Sequence, residues 1–310
     1  MTVITTRGLT KRYGPVTALD DLSVDVEPGV VGLVGANGAG KSTLIKILLG
    51  LLPPTSGTVE VLGLDAVTQG ELVRERVGYM PEHDCLPADV SATELVVHMA
   101  RISGLPPTAA RERTADVLRH VGLYEERYRL IGGYSTGMRQ RVKLAQALVH
   151  DPALVLLDEP TNGLDPAGRD DMLGLVRRIG ADFGISVLVT SHLLGELERV
   201  CDAVVVVDGG RLLRSSSTAA ATAQRSVLAV EVDARADELA AALRAAGLQV
   251  GGDRVLEVAL LGEPGGDEPA YDLVRDHVVR LGVGLLRMER RRHSISELFR
   301  PAEEAPRVRA

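Results

Sequence analysis

The chain has 310 residues, 45% of them hydrophobic and 25% charged. That is the make-up of a globular protein of roughly two domains at about 150 residues each, and it excludes disorder, collagen and a coiled coil. Lys and Arg number 35 against 42 Asp and Glu, a formal charge of -7 that argues against whole-surface steering toward nucleic acid but leaves room for a local basic patch.

In chain order, residues 3–6 and 22–26 read as short strands, forming an antiparallel edge. Residues 30–34, 153–157, 185–189 and 203–207 are apolar throughout but for Ser186, the pattern of strands buried on both faces in a parallel sheet covered by helices. Between residues 84 and 150 the pattern turns helical, with candidates at 90–103, 108–121 and 138–149. In the last of these, Met138, Val142, Ala145 and Val149 share an apolar face, and Arg139, Arg141 and Lys143 turn away from it. An α/β domain over residues 1–215 with a helical subdomain at about 84–150 follows. Residues 216–225 are small and polar and read as a linker. Strand, helix, strand, helix, strand over 227–232, 237–246, 255–260, 270–281 and 283–288 predicts a small ferredoxin-like α/β domain within 226–300, followed by a tail at 301–310.

No apolar run approaches the roughly 18 residues of a membrane span, and residues 1–9 lack the apolar core of a signal peptide. A cytoplasmic location is expected. Cys85 and Cys201 have neither a disulfide framework nor zinc-ligand spacing.

Gly35-Ala36-Asn37-Gly38-Ala39-Gly40-Lys41-Ser42 fits G-x-x-x-x-G-K-[ST], after an apolar strand and before a helical pattern that opens at Thr43. This is the context of a phosphate-binding P-loop. Its glycines let backbone N–H groups close around phosphate oxygens, and the helix N-terminus adds partial positive charge. Lys41 is placed to bridge the β- and γ-phosphates and Ser42 to ligate Mg²⁺. Residues 154–157 form an apolar strand that ends in Asp158 and Glu159. Ligands of such sheets collect at the carboxyl ends of strands, so Asp158 can hold Mg²⁺ through water and Glu159 can take a proton from, or align, the attacking water.

Five further segments make residues 3–213 resemble the ATP-binding cassette (ABC) ATPases. Arg12-Tyr13-Gly14 resembles the loop whose aromatic ring stacks on adenine. Val77-Gly78-Tyr79-Met80-Pro81-Glu82 resembles the segment that usually ends in Gln and contacts Mg²⁺ and the membrane partner; here Glu82 takes that place, as a metal ligand or as a subunit contact. Gly133 to Arg141 occupies the place of the family signature, with Ser135 and Gly137 matching and Tyr134, Thr136 and Met138 departing from it. Ser135 caps the helix that follows, whose N-terminus then points at a nucleotide held by another subunit. Pro160 to Pro166 resembles the loop that links the two sites of a dimer, and His192 of Thr190-Ser191-His192 resembles the switch histidine at the γ-phosphate.

The resemblance implies ATP and Mg²⁺ as ligands, Glu159 and His192 as the catalytic pair, and a head-to-tail homodimer or heterodimer with ATP between subunits. A separate integral membrane permease is implied as the partner, with the chain peripheral on the inner face of the cell membrane and no nucleic acid bound. The forms of the signature and of residues 79–82, with the C-terminal extension ending in Ser294 to Phe299, resemble subunits of drug, lipid or polysaccharide exporters. An importer ATPase shares every catalytic residue and stands as the alternative, with a soluble non-transport ABC protein behind it. The cluster Arg287, Arg290, Arg291, Arg292 and His293 reads as a solvated strand edge.

Overall fold

The computed structural model describes residues 2–217, 226–252, 255–260 and 268–292. The chain divides into two compact units, Met1–Ser215 and Ser216–Ala310.

The first unit opens with an antiparallel hairpin, β1 (Ile4–Tyr13) and β2 (Val16–Val26), followed by β3 (Val30–Val34) and helix α1 (Lys41–Leu48). Then come β4 (Ser56–Val61), β5 (Leu64–Asp65), α2 (Gly70–Arg76) and β6 (Val77–Met80). The helical insertion holds α3 (Ala92–Ile102), α4 (Pro107–His120) and α5 (Thr136–Leu148). The chain returns through β7 (Leu154–Leu157), α6 (Pro166–Phe183), β8 (Ser186–Ser191), α7 (Leu194–Leu197), β9 (Ala203–Asp208) and β10 (Arg211–Ser217).

The principal sheet has the order β10-β9-β3-β8-β7-β6, and its β9-β3-β8-β7-β6 pairs are parallel. Every residue of β3, β7 and β8 is buried, which is why these strands read as apolar runs without alternation, Ser186 aside. The first hairpin is not the edge of this sheet. With β4 and β5 it forms a second sheet in the order β2-β1-β4-β5. Its strands are buried along one face, with Leu9, Leu19 and Leu22 inside and the Arg7–Asp25 pair outside, and a one-faced strand does not fit a sheet covered on both sides. The antiparallel edge of the principal sheet is β10 instead, because the two-residue link Gly209-Gly210 can join only antiparallel neighbours. That strand runs through Ser217, so Ser216 and Ser217 continue it, and residues 218–225 of the expected linker lie outside the described residues. One apolar cluster, including Leu9, Leu22, Leu33, Ile45, Leu48 and Val61, joins both sheets through α1.

The second unit runs β11 (Ser226–Val232), α8 (Ala236–Ala245), β12 (Val250–Gly251), β13 (Leu256–Ala259), α9 (Glu268–Leu281) and β14 (Leu285–Arg292). The sheet order β12-β13-β11-β14, with all three neighbouring pairs antiparallel, is the βαββαβ topology of a ferredoxin-like fold. Leu228, Val230, Leu239, Leu243, Val258 and Val274 form its core. His293 and residues 294–310 lie outside the described residues.

Candidate functional site

The turn from β3 into α1 is shaped by two close backbone approaches. A Cβ on Gly35 would stand 2.4 Å from the Val207 carbonyl oxygen, and one on Gly40 would stand 2.4 Å from that of Ala18, at a φ of +99°. Glycine alone meets both demands without moving a neighbouring strand. Ala36 through Thr43 line a cleft of about 330 Å³ together with Ala18, Glu82, Asp158 and Glu159.

Lys41 is buried, and its Nζ donates to the carbonyl of Gly35 at 2.6 Å and lies 3.4 Å from Glu159 Oε1. The lysine head group is thus held over the loop by the loop's own backbone. Asp158 and Glu159 leave the end of β7, buried to 4% and 6% exposure. The Thr190 hydroxyl at the end of β8 ties the two together, donating to Asp158 Oδ1 at 2.8 Å and accepting from the Glu159 amide at 2.9 Å. Burial pushes the Asp158 carboxyl above its usual range, against hydrogen bonds from Thr190 and Ser42 that pull it down, while Glu82 and Glu159 add like charge.

Glu159 adopts a φ of +48°, a backbone state that costs a non-glycine residue about 1–3 kcal/mol and recurs at functional sites. Its Oε2 lies 2.9 Å from His192 Nδ1. Its Oε1 makes no hydrogen bond within the described residues. The carboxylate therefore stands between a lysine, 3.4 Å from Oε1, and a histidine, 2.9 Å from Oε2.

Glu82 reaches the cleft from the segment after β6, where its Oε1 accepts from Asn162 Nδ2 at 3.1 Å. Ser135 is the N-cap of α5 and accepts from the Met138 amide at 3.3 Å. Ser135 and Gly137 lie outside the cleft that the P-loop lines, as does Tyr13. Tyr13 ends β1 at 46% exposure, its ring covered by Lys11 Nζ at 5.3 Å. One chain thus brings together Lys41, Ser42, Glu82, Asp158, Glu159 and His192 and leaves an exposed aromatic ring and a capped helix start elsewhere on its surface.

Lys143 does not turn away into solvent as its helical position predicts. It is 3% exposed, and its ammonium donates to the carbonyls of Pro81 and Glu82 at 2.8 and 3.0 Å. Thr190 and Asn162 were also not legible as site residues: each acts through a contact between segments distant in sequence. Glu196 is a further one, accepting from Thr161 Oγ1 at 3.2 Å and Arg169 Nη1 at 3.3 Å, and so joining the turn after Glu159 to α7.

A parallel sheet with a glycine-rich phosphate-binding loop after β3 and a buried carboxylate pair at the end of β7, with β8 between the two strands, defines a P-loop ATPase. Residues 19–162 match the family described as ABC transporter. The bacitracin transport ATP-binding protein BcrA of Bacillus licheniformis is 39% identical over 213 residues, covering 68% of this chain and 69% of that one. The daunorubicin/doxorubicin resistance ATP-binding protein DrrA of Streptomyces peucetius is 39% identical over 216 residues, covering 69% and 65%. Among solved structures, cbiO1 of Clostridium perfringens, part of the ABC transporter complex cbiONQ, superposes with a TM-score of 0.65 at 27% identity, over 70% of this chain and 89% of that one. A further cassette, solved as a dimer in a post-hydrolysis state with ADP and Pi, shares the fold at a TM-score of 0.63 and 22% identity, over 69% and 98%. The chain belongs to the ABC transporter family, as one of its ATP-hydrolysing cassettes.

Proposed function

We propose that this chain binds and hydrolyses ATP to power a separate membrane permease, in the direction of export. The observation that carries the catalytic reading is the Glu159 carboxylate, buried between Lys41 and His192 at the edge of the P-loop cleft. Export is supported by the named relatives, which serve bacitracin transport, daunorubicin resistance and Nod factor export. Among the described residues no helix is long and apolar enough to cross a membrane, so the permease is read as another chain, with this one at its cytoplasmic face.

In this reading the amides of residues 36–43 hold the phosphates at the start of α1, where the helix dipole favours negative charge. Lys41 leaves the Gly35 carbonyl for the β- and γ-phosphates, and Tyr13 stacks on the base. The donor set fits Mg²⁺: Ser42, Asp158 and Glu82 offer hard oxygens. No group of three or more His, Cys, Asp and Glu side chains that could hold a metal occurs among the described residues, and a bound Mg²⁺ would take its remaining ligands from substrate phosphates and water. When bound, the metal neutralises charge on the phosphate oxygens. Glu159 accepts or aligns the proton of the attacking water, and His192 holds Glu159 and the γ-phosphate oxygens in place. Ser135 and Gly137, outside their own chain's cleft, serve the nucleotide of a second subunit at the N-terminus of α5. ATP then favours the closed dimer by its differential affinity for that state. The second unit, without a catalytic constellation among its described residues, is read as a dimerising or regulatory accessory domain.

The test is isolation of tagged Glu159→Gln chain with ATP from detergent-solubilised native membranes, with mass spectrometry of what accompanies it. A polytopic membrane protein in near-equal amount supports the transporter reading and leads to its substrate. Recovery of soluble partners, ribosomes or DNA alone would discard transport and leave the ATPase standing.

A further inference from the structure

Lys143 is a buried cation that the catalytic scheme does not use. A methionine would fill the same space without taking an ammonium out of water, a cost that is large for any buried charge. An ammonium has three protons and no acceptor. Lys143 spends them on three consecutive carbonyls, those of Pro81 at 2.8 Å, Glu82 at 3.0 Å and His83 at 3.4 Å. Burial pulls its pKa down, and Cys85, Asp84, Glu82 and Asp158 oppose that pull. The side chain therefore fastens a backbone segment of another element to α5.

One turn earlier on the same helix face, Gln140 is 5% exposed, and its Nε2 donates to the Asn162 carbonyl at 3.1 Å. One face of α5 thus holds two loops at once, the segment after β6 and the turn after β7. The loops also meet each other. Asn162 Nδ2 donates to Glu82 Oε1 at 3.1 Å, and the Asn162 amide donates to the Glu159 carbonyl at 3.0 Å. These contacts surround a second cleft of about 260 Å³, lined by Glu82, Gln140, Lys143 and Asn162 among others. Glu82 lines both clefts, so it is the side chain through which one reaches the other.

We propose that Lys143 is a positioning residue for ATP hydrolysis, fixing residues 81–83 to α5 so that Glu82 stands in the nucleotide cleft and meets Asn162 of the turn that follows Glu159. The inference rests on the reading of that cleft as the ATP site. Its consequence is directional. The N-terminus of α5 carries Ser135, so a displacement of α5 by a partner at that end is delivered by Lys143 and Gln140 to Glu82 and to the turn after Glu159. Without the ammonium the 81–83 carbonyls are released and Glu82 can leave the cleft, while the P-loop keeps its own contacts with the nucleotide.

A double-mutant cycle in the full-length chain tests this, because residues acting through one another show non-additive effects. Lys143→Met and Glu82→Ala are made singly and together, and steady-state turnover, KM for ATP and binding of a fluorescent ATP analogue are measured in each. Lys143→Met is expected to lower kcat about tenfold with KM changed less than about twofold, the mark of a group that serves turnover rather than binding. In the Glu82→Ala background the same substitution is expected to add little. Lys143→Arg, which restores donors to the carbonyls, is expected to recover most of the lost turnover. Losses that multiply across the cycle, or a Lys143→Met chain with wild-type kcat, overturn the proposal. Should Lys143→Met fail to fold, the cycle of Asn162→Ala with Glu82→Ala makes the same demand one step along the path, and additivity there is equally fatal. A wild-type chain without ATPase activity would instead sink the reading of the cleft, so the two failures are distinguishable.

Discussion

His192 Nδ1 stands 2.9 Å from Glu159 Oε2, joining the ends of two neighbouring parallel strands. The contact spans 33 positions of sequence, yet the register Leu157 opposite Val189 brings both strands out at the same end of the sheet. Glu159 is buried and His192 is half exposed, so the histidine can reach from the carboxylate toward the cleft mouth. His192→Ala is expected to lower kcat by about 100-fold, the lower end of what a positioned acid or base supplies. Binding of an ATP analogue should change little. Unchanged turnover would remove His192 from the catalytic pair.

Asp158 sits in the fold as a desolvated carboxylate with like charges beside it and two hydroxyl donors in support. Asp158→Asn keeps the shape and the Thr190 hydrogen bond and removes the charge. The nucleotide-free protein should therefore unfold at a higher temperature than wild type at pH 7, since a carboxyl whose pKa is raised in the fold by burial destabilises the fold when ionised. The gain in thermal stability that wild type shows on adding ATP with Mg²⁺ should shrink at the same time. A variant that is less stable than wild type without nucleotide would show that Asp158 is already compensated within the fold.

Ser135 caps α5 from outside the cleft of its own chain, which makes its service to a second subunit testable by mixing. Lys41→Ala is expected to abolish nucleotide binding, and Ser135→Arg to leave binding intact and stop turnover. A mixture of the two inactive chains should regain part of the wild-type rate, because some dimers then gather both lesions at one site and leave the other whole. If mixing restores nothing while mixed dimers demonstrably form, Ser135 does not act across an interface.

Much of this was legible from residue patterns, and the reasons differ by element. β3 runs over Val30–Val34, as its apolar run predicts, and β7, β8 and β9 lie within a residue or two of theirs, because burial on both faces keeps these strands predominantly apolar instead of alternating. β1 and β2 extend over 10 and 11 residues against expected runs of four and five. Their outer faces carry Arg, Lys and Asp, and register shifts break the alternation. α6 was hidden behind the motif reading of Pro160 to Pro166, although Asp165 as N-cap with Pro166 following it announces a helix. In the site, residues whose spacing along the chain is fixed by one loop could be found by motif. Thr190, Asn162 and Lys143 could not, since each donates to a carboxylate or carbonyl supplied by a segment 32, 80 and 61 positions away in turn.

The helical insertion has its own pH signature. Ser91 caps α3 by accepting from the Glu94 amide at 3.2 Å, and Glu94 returns the contact through Oε2, which accepts from the Ser91 amide at 2.8 Å and hydroxyl at 2.7 Å. The backbone and hydroxyl bonds from Ser91 hold the Glu94 carboxyl below its usual range. A carboxyl depressed in the fold binds its proton less readily there than in the unfolded chain. Its contribution is therefore present above the unfolded pKa and lost as pH falls through the folded one. Ser91→Ala removes the cap and the hydroxyl's share of the depression, while the backbone amide at position 91 can still donate to Glu94. It is expected to cost about 1 kcal/mol near pH 7, as N-cap deletions do, and the gap between variant and wild-type melting temperatures should narrow on acidification below about pH 4.5, where unfolded glutamate protonates. A gap that stays constant from pH 7 to pH 3 would mean that the cap contributes through the Ser91 hydroxyl and the Glu94 amide alone.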